Sequence, residues 1–216
     1  LFRSTDKTYQ VVVIGEGSVG KSALCLLFVK GEFNVEYNPT IEDSYSTEVN
    51  VDGQCVKMSI IDTAGQEEYI SLREQYYIKG DGFVLVYSID NKNSFHALKG
   101  HRDGILGLRT GKKTNMVMAG NKCDLVDQRQ IPTEEATKLA QEWGIPFFET
   151  SAQNNINVTE LFQAIARELI KTSNEAAAPA AMAVETEAAS ANASETGTPA
   201  QSTGSGSQKS GCCVLF

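Results

Sequence analysis

Several features are scarce in this chain of 216 residues, and each scarcity excludes a class of protein. The 5 cysteines are odd in number and sparse, whereas a small secreted protein held together by disulfides would have a denser, even set. No apolar run reaches about 18 residues, so we expect no membrane-spanning helix. No signal peptide is visible, and because the chain begins at Leu1 rather than Met, we expect the native start to have been trimmed.

Basic residues are also in the minority. Lys and Arg number 19 against 27 Asp and Glu, which gives a formal net charge of −8, and no basic block occurs. Because nucleic acid binding depends largely on neutralising phosphates, we predict no nucleic acid partner. His96 and His101 are the two histidines, and neither has a cysteine or carboxylate at metal-ligand spacing. We therefore expect both to be surface residues and predict no zinc site.

The composition divides the chain into parts. Hydrophobic residues make up 41% of the chain, enough for a buried core, but from Thr172 to Gly211 they are nearly all Ala, with no aromatic residue. The residues in this range are mostly small or polar and cannot bury enough apolar surface to offset ordering entropy, although a marginal helix near 175–189 is an alternative. The predicted parts are an N-terminal extension at 1–7, a folded domain at 8–171, a disordered tail at 172–211 and a terminal signal at 212–216.

Within the folded domain, strand patterns alternate with helix patterns. Asp52-Gly53 lies between two strand patterns and predicts a hairpin turn. The alternation elsewhere predicts an α/β fold, with a mostly parallel six-stranded sheet, one antiparallel edge hairpin and helices on both faces. Predicted strands are 11–14, 45–51, 54–61, 83–88, 116–120 and 147–149; predicted helices are 22–30, 95–108, 133–143 and one that starts near Asn157.

A glycine-rich motif follows the first strand. Residues 15–22 read G-E-G-S-V-G-K-S, which matches G-x-x-x-x-G-K-[ST] in the required position between a strand and a helix. Backbone N–H groups there can surround phosphates, Lys21 can add a positive charge between the β- and γ-phosphates, and Ser22 can offer an oxygen to Mg²⁺. The motif predicts a P-loop NTPase fold; the alternative is a glycine turn that merely connects two elements.

The end of another strand carries the sequence D-T-A-G-Q-E-E at residues 62–68. Asp62 has the position of the carboxylate that holds Mg²⁺ in P-loop proteins. Gly65 can present an N–H group to the γ-phosphate. Gln66 has both a donor and an acceptor, so it can orient a water for in-line attack.

A third motif predicts the base. Residues 121–124 read N-K-C-D after a short apolar strand. Asp124 can accept two hydrogen bonds from guanine, whereas adenine would leave that carboxylate facing a lone pair. Asn121 can brace the loops and the Lys122 stem can pack on the nucleoside. Residues 150–152 read T-S-A, and the N–H groups of Ser151 and Ala152 could reach the guanine O6 atom.

Together, these motifs resemble those of Ras-like small GTPases over residues 8–171, the folded domain, which would then be a GTPase domain. Residues 37–45, Y-N-P-T-I-E-D-S-Y, are similar to the effector loop, or switch I, of the Ras and Rap branch, and residues 62–72 look like switch II. Gln66 replaces the Thr that Rap-type sequences usually carry, which favours Ras. The resemblance implies that Thr40 binds Mg²⁺ and senses the γ-phosphate, and that Phe33 lies against guanine.

The resemblance also implies a membrane-anchored signalling switch that binds GTP or GDP with Mg²⁺ and hydrolyses GTP. Gln66, Lys21 and Gly17 would be its catalytic residues, and Gly17 lacks the Cβ that would crowd the attacking water. The predicted nucleotide-binding residues are Gly15, Gly17, Ser18, Val19, Gly20, Lys21, Ser22, Ala23, Phe33, Thr40, Gly65, Asn121, Lys122, Asp124, Ser151 and Ala152. The predicted metal ligands are Ser22, Thr40 and Asp62, and the predicted effector-binding residues are Tyr37, Ile41, Glu42, Asp43 and Tyr45.

The implied partners follow from the same resemblance. The cradle and both switches contain no arginine placed to stabilise the transition state, so we expect slow intrinsic hydrolysis and a GTPase-activating protein that supplies an arginine. A guanine-nucleotide exchange factor and effectors with Ras-binding-type domains are expected as well. Ser18 and Gln153 depart from the usual Gly and Lys, and Gln153 could loosen guanine packing and speed exchange.

The last four residues, C-V-L-F at 213–216, fit the C-a-a-X prenylation signal. We expect a prenyltransferase to modify Cys213, with a terminal Phe favouring geranylgeranyl. One lipid attaches weakly, so palmitoylation of Cys212 is the expected second signal, and the alternative is that Cys212 takes no part. The predicted location is the cytoplasmic face of the plasma membrane, with endomembranes as an alternative.

Two other functions stay open from the sequence alone. The chain could be a nucleotide-binding interaction module with negligible turnover, although Gln66 and Gly17 argue against it. It could also be an ATP-dependent phosphotransferase, which the guanine-type motif disfavours. Nucleotide selectivity and single-turnover phosphate release distinguish these alternatives from a GTPase.

Overall fold

The structure is a computed structural model that describes residues 4–33, 42–63 and 70–191. The chain divides into two units, Leu1–Ala176 and Ala177–Phe216, and the site lies in the first. The described elements are, in chain order, β1 (Ser4–Ile14), α1 (Lys21–Lys30), β2 (Glu42–Val51), β3 (Gln54–Thr63), α2 (Ile70–Lys79), β4 (Gly82–Ser88), α3 (Lys92–Leu108), β5 (Asn115–Asn121), a 3₁₀ turn (Val126–Gln128), α4 (Thr133–Trp143), β6 (Phe147–Glu149) and α5 (Val158–Ala191).

Six strands of the described residues form one sheet in the order β2-β3-β1-β4-β5-β6. β2 and β3 are antiparallel, and the other neighbouring pairs are parallel. The register pairs Val13 with Asp62 and Ser88 with Asn121, so the carboxyl ends of the parallel strands lie at one edge of the sheet. In open sheets of this kind, ligands bind in the loops beyond that edge.

Both faces of the sheet are covered, which explains the continuous apolar run in β1. Val11 and Val13 pack on one face with side chains of α1 and α5. Val12 and Ile14 pack on the opposite face with side chains of α2, α3 and α4. The predicted α/β class, with helices on both faces and an antiparallel edge hairpin, is therefore confirmed.

Local backbone chemistry sets the ends of several elements. The hairpin between β2 and β3 turns at Asp52 and Gly53, which both have positive φ, 50° and 81°, as a tight two-residue turn requires. α1 ends at Gly31, whose N–H group donates to the Leu27 carbonyl from a left-handed conformation. The Asn91 side chain accepts from the Ser94 N–H group and caps α3.

Two helices differ from the sequence patterns. No sequence pattern predicts a helix at Ile70–Lys79, where the structure has α2. α5 continues through Ala191, well past Lys171. Alanine has the most favourable helix propensity, and the alternative helix at 175–189 falls inside this range. The predicted domain boundaries themselves stay a prediction.

Over the residues that the structure describes, no helix combines the length and the apolar character needed to cross a bilayer.

Candidate nucleotide-binding site

The loop between β1 and α1 has the close packing that its glycines allow. A methyl group on Gly15 would lie 2.1 Å from the Val86 carbonyl oxygen, and one on Gly20 would lie 2.3 Å from Asn121 Nδ2. Gly20 also has a φ of 93°. At both positions, therefore, the fold itself requires glycine.

Lys21 folds back over this loop. Its Nζ atom donates to the carbonyls of Gly15 and Glu16 at 2.9 and 2.8 Å, and the residue is buried. The carbonyls orient the ammonium group at the start of α1, where the helix N-terminus also attracts anions. The predicted cradle for phosphates thus has its positive charge held in place.

Gly17 differs from the other two glycines. No described atom lies within 4 Å of a methyl group placed on it, and its φ is not positive. Neither local packing nor backbone conformation explains glycine here. The sequence predicts that the missing Cβ of Gly17 avoids crowding the attacking water, and this role stays a prediction. Its neighbour Ser18 has a φ of 62°, a conformation that glycine adopts more easily.

Two of the three predicted metal ligands lie in described segments. Ser22 is in the first turn of α1, and Asp62 is fully buried near the end of β3. Burial raises the pKa of the Cys25 thiol, the Asp62 charge raises it further and the Lys21 charge partly opposes this, so both charges lie near α1. A hydroxyl and a carboxylate are the hard oxygen donors that suit Mg²⁺. Thr40, the third ligand, lies outside the described residues.

Asn121 joins the cradle to the two loops of the predicted base site. Its Nδ2 atom donates to the Val19 carbonyl at 2.8 Å, and its Oδ1 atom accepts from Thr150 Oγ1 at 3.2 Å. Asn121 and Thr150 are both buried, so these bonds are shielded from water. These bonds connect the three loops, and the role of Asn121 in nucleotide binding stays a prediction.

Asp124 is fixed from the opposite loop. Ser151 Oγ donates to Asp124 Oδ1 at 2.5 Å and accepts from the Asn154 N–H group at 3.0 Å. The Cys123 N–H group donates to the Thr150 carbonyl at 3.0 Å, which ties the same two loops by their backbones. A carboxylate held in this way is pre-organised for two adjacent donors.

Lys122 has a partner that the sequence analysis missed. Its Nζ atom lies 3.7 Å from Asp90 Oδ2, and Ser88 Oγ donates to the other Asp90 oxygen in a short hydrogen bond. Together with Gly17 and Ser18, these three residues line a cavity of about 340 Å³ beside the cradle. The signal was available, because Asp90 follows the strand pattern at 83–88 and therefore belongs to the same sheet edge.

The predicted effector and base-stacking residues are described only in part. Phe33 is 40% exposed and Asp43 is exposed. Burial, and then the neighbouring Asp43, raise the pKa of Tyr45 to about 12, so its phenol is neutral at physiological pH. Of Glu42 only the backbone, which begins β2, is described. The predicted site residues outside the described ranges are Tyr37, Thr40, Ile41, Gly65, Gln66, Cys212 and Cys213.

The expectation for His101 is wrong, whereas His96 is exposed as expected. His101 is only 7% exposed and contacts the cradle, because its Nε2 atom lies 3.3 Å from Glu16 Oε1. Helical spacing explains the burial: His101 follows the buried Phe95 and Leu98 at steps of three and lies on their face of α3.

Fold and site together define a P-loop nucleoside triphosphate-binding protein. Its glycine cradle, its buried ammonium and its N-K-x-D loop lie at one edge of a mostly parallel sheet. The sequence model of the Ras family matches residues 10–171. The chain therefore belongs to the Ras family of small GTPases, whose members bind GTP or GDP together with Mg²⁺.

Proposed function

We propose that this protein is a GTP-hydrolysing switch of the Ras and Rap branch, closer to Ras, which is anchored to a membrane. The observation that carries the proposal is the bracing by Asn121, which connects the loop of Lys21 to the loop of Asp124. A positive charge for phosphates and a carboxylate for guanine then belong to one site. A single purine nucleotide can engage both ends.

In hydrolysis, a water attacks the γ-phosphorus and the bond to the β–γ bridging oxygen breaks, which leaves GDP and inorganic phosphate. Lys21 would stabilise negative charge on the phosphates, and Gln66 would orient the water. Ser22, Asp62 and Thr40 would hold Mg²⁺, which would supply charge neutralisation when bound. No atom of the described residues lies within 4 Å of a methyl group placed on Gly17, which is consistent with approach of an activating partner's arginine there.

The base preference is the first test. Purified protein with Mg²⁺ should bind GTP and GDP in strong preference to ATP, measured by competition against a fluorescent guanine nucleotide. Asp124→Asn should shift the preference toward xanthine nucleotides, because an amide can donate to the carbonyl at C2 of xanthine. A wild-type protein that does not distinguish GTP from ATP would refute the proposal.

Turnover is tested separately from binding. Single-turnover phosphate release should be slow for the protein alone and should accelerate when an arginine-supplying activator is added. Gly17→Val should keep nucleotide binding and lose the acceleration, because its side chain fills the open space. No release under either condition would favour a nucleotide-binding module without catalysis.

Effector binding depends on the nucleotide state in this proposal. Asp43 is exposed on β2 directly opposite Asp62 in the register, so the effector strand and a predicted metal ligand share one strand pair. A pull-down from lysate, compared between GTP-loaded and GDP-loaded protein, should recover Ras-binding-type domains only from the GTP form. Asp43→Ala should reduce this recovery without changing nucleotide affinity.

Membrane attachment rests on the C-a-a-X pattern at residues 213–216. Cys213→Ser should move the full chain from the membrane to the soluble fraction. Cys212→Ser is the matched variant and should weaken attachment while leaving the prenyl mass on the protein. Continued membrane residence of Cys213→Ser would contradict the lipid anchor.

A further inference from the structure

Three polar side chains from three elements meet beside the phosphate cradle. His101 of α3 has its Nε2 atom 3.3 Å from Glu16 Oε1 and its Nδ1 atom 3.0 Å from Tyr77 Oη. Glu16 belongs to the loop after β1, and Tyr77 belongs to α2. His101 and Tyr77 are both less than one-tenth exposed. We call this group the Glu16–His101–Tyr77 link.

The chemistry of the groups fixes the roles of the imidazole nitrogens. An ionised carboxylate can only accept, so Nε2 carries the hydrogen that faces Glu16. In the neutral ring Nδ1 then accepts from the Tyr77 hydroxyl; in the charged ring Nδ1 donates to that oxygen instead. The Tyr77 contact is therefore a hydrogen bond in either protonation state, and the Glu16 contact, at 3.3 Å, becomes an ion pair when the ring is charged. The link is therefore maintained whether or not His101 is charged.

One end of the link reaches the atoms that hold the cradle ammonium. The backbone carbonyl of Glu16 accepts from Lys21 Nζ at 2.8 Å, while the Glu16 side chain contacts His101. The same residue is thus bonded to both the phosphate-binding lysine and α3. A change in its position would move an acceptor of Lys21.

The other end of the link reaches α2, whose first three residues belong to the predicted switch II at 62–72. α2 begins at Ile70, directly after the segment that contains Gly65 and Gln66. At its end, Arg109 Nη1 donates to the carbonyls of Tyr77, Ile78 and Gly80 at 3.2, 3.1 and 2.6 Å. His101 of α3 and Arg109 at its C-cap both form hydrogen bonds with α2. Of the two, His101 also contacts Glu16 of the cradle.

We propose that His101 is a positioning residue for nucleotide binding, which sets the cradle and α2 in register through Glu16 and Tyr77. The inference rests on the proposed function only in that a guanine nucleotide occupies the cradle, and it requires no hydrolysis. It assigns a role in nucleotide retention to Tyr77, which contributes through His101. Loss of either contact should loosen the cradle and α2 together.

The test measures release of a fluorescent GDP analogue from the full chain with Mg²⁺. His101→Phe keeps a ring of similar size and removes both polar atoms, so release should become about three- to tenfold faster, the range that one or two lost hydrogen bonds give. His101→Gln can donate with its amide nitrogen and accept with its oxygen, so it should restore most of the slow release. His96→Phe, at the exposed histidine of the same helix, should leave the rate unchanged.

A double-mutant cycle separates positioning from packing. Tyr77→Phe should speed release in the presence of His101 and should have no effect in the His101→Phe background, because the path to the cradle is then already broken. Equal effects of Tyr77→Phe in both backgrounds, or an unchanged rate in His101→Phe, would overturn the inference. Tyr77→Phe removes one oxygen only, so the inference stays testable if the His101 variant does not fold.

Amide hydrogen exchange distinguishes failure of this inference from failure of the proposed function. His101→Phe should raise exchange both in α2 and in residues 15–20, whether or not nucleotide is present. If the wild-type protein binds no guanine nucleotide but His101→Phe still shows the paired increase relative to it, the proposed function is refuted and the link is supported. An increase confined to α2 and α3 would refute the link.

Discussion

At the scale of single residues, the glycines of the cradle offer a sharp comparison. Gly15→Ala would place a methyl group 2.1 Å from the Val86 carbonyl oxygen, and backbone atoms of a central strand cannot easily move aside. We expect a loss of about 1–3 kcal/mol in unfolding free energy, and more if the strand cannot shift. Thermal unfolding should then begin several degrees lower, at about 2–4 °C per kcal/mol.

Gly17→Ala is the matched control. The same methyl group meets no described atom within 4 Å there, so the melting temperature should stay near that of the wild type. Equal destabilisation by both substitutions would show that the close packing at Gly15 does not control stability.

Single residues also show how far a sequence can predict a site. The positions of Lys21, Asn121 and Asp124 could be predicted because each belongs to a motif whose spacing reflects contact with one ligand. Asp90, the partner of Lys122, could have been placed at the same sheet edge, because it follows a strand pattern. The contact between Glu16 and His101 could not be predicted, because it joins a loop to a helix that is distant in sequence. Burial of His101 was predictable in principle from helical periodicity, but its polar character suggested the surface.

At the scale of elements, α2 depends on an arginine from the C-cap of α3. Arg109 Nη1 donates to three carbonyls at the end of α2, and its guanidinium lies 5.3 Å from the centre of the Phe83 ring. Burial lowers the pKa of Arg109 and the nearby Asp81 partly opposes this shift, but the group remains charged. Charged donors at a helix C-terminus also favour the helix dipole.

Arg109→Ala should therefore lower the unfolding free energy by about 1–3 kcal/mol, because two part-buried carbonyls and one exposed carbonyl lose their donor. Amide exchange in α2 should rise before global unfolding. Arg102→Ala is the comparison, since Arg102 bonds only to its exposed neighbour Asp103 and stacks on Trp143 in the described contacts. That variant should lose less than about 1 kcal/mol in chemical denaturation; a similar loss from both would argue against the capping role.

The strand β6 is tied to the start of α4 by Glu149. Arg129 donates to both Glu149 oxygens at 2.6 and 2.9 Å, and Thr133 Oγ1 donates to one of them at 2.8 Å. Burial raises the pKa of Glu149, but these hydrogen bonds and the Arg129 charge outweigh it, so the net pKa lies below its ordinary value of 4.5.

The lowered pKa gives a pH dependence with a definite sign. The Glu149 contribution to stability is complete above about pH 4.5 and is lost as the pH falls through the lower folded-state pKa. Glu149→Gln loses this contribution of the ionised carboxylate. Denaturation curves should therefore show the variant to be less stable than the wild type at neutral pH, and this difference in stability should shrink toward acid pH. A difference that is constant with pH would show that Arg129 does not stabilise the carboxylate.

Element prediction succeeded where the patterns were local. The sequence patterns for α4 and β6 agree with the observed ranges, because Pro132 and Gly144 bound the helix and a short apolar run forms the strand. The α2 helix was not predicted because Ile70–Lys79 lacks a clear apolar stripe. In addition, the carbonyls at its end accept hydrogen bonds from Arg109, which is about thirty residues away in the sequence. Such support cannot be seen in a local window.

At the scale of the whole molecule, contacts of α5 extend past the predicted domain end at 171. Thr172 Oγ1 donates to Asn115 Oδ1 at 2.6 Å, and Lys113 pairs with Glu175 at 2.5 Å. A chain that stops after Ala176 keeps both contacts and should match the full chain in melting temperature and GDP affinity. A chain that stops after Lys171 should melt lower, by roughly 1 kcal/mol of stability.

Two results with these shortened chains would contradict the expectation. Equal melting temperatures for both shortened chains would place the end of the folded domain at 171, as the composition suggests. A large loss in the longer one would mean that residues beyond 176 stabilise the first unit.

The strand order could not be derived from the sequence. Alternation of strands and helices predicts a parallel sheet, but it does not state that β1 lies between β3 and β4. That arrangement follows from crossover connections that place helices on both faces of the sheet. The packing of those helices depends on the complete set of buried side chains in both clusters.

The central place of β1 has a consequence for synthesis on the ribosome. β1 precedes all the other described strands in the chain, and its neighbour β4 begins about 70 residues after β1 ends. At a synthesis rate of about 5–20 residues per second, β4 is made about 3–14 s after the apolar run of β1. During this interval the nascent polypeptide offers a chaperone a hydrophobic segment that the finished protein hides completely.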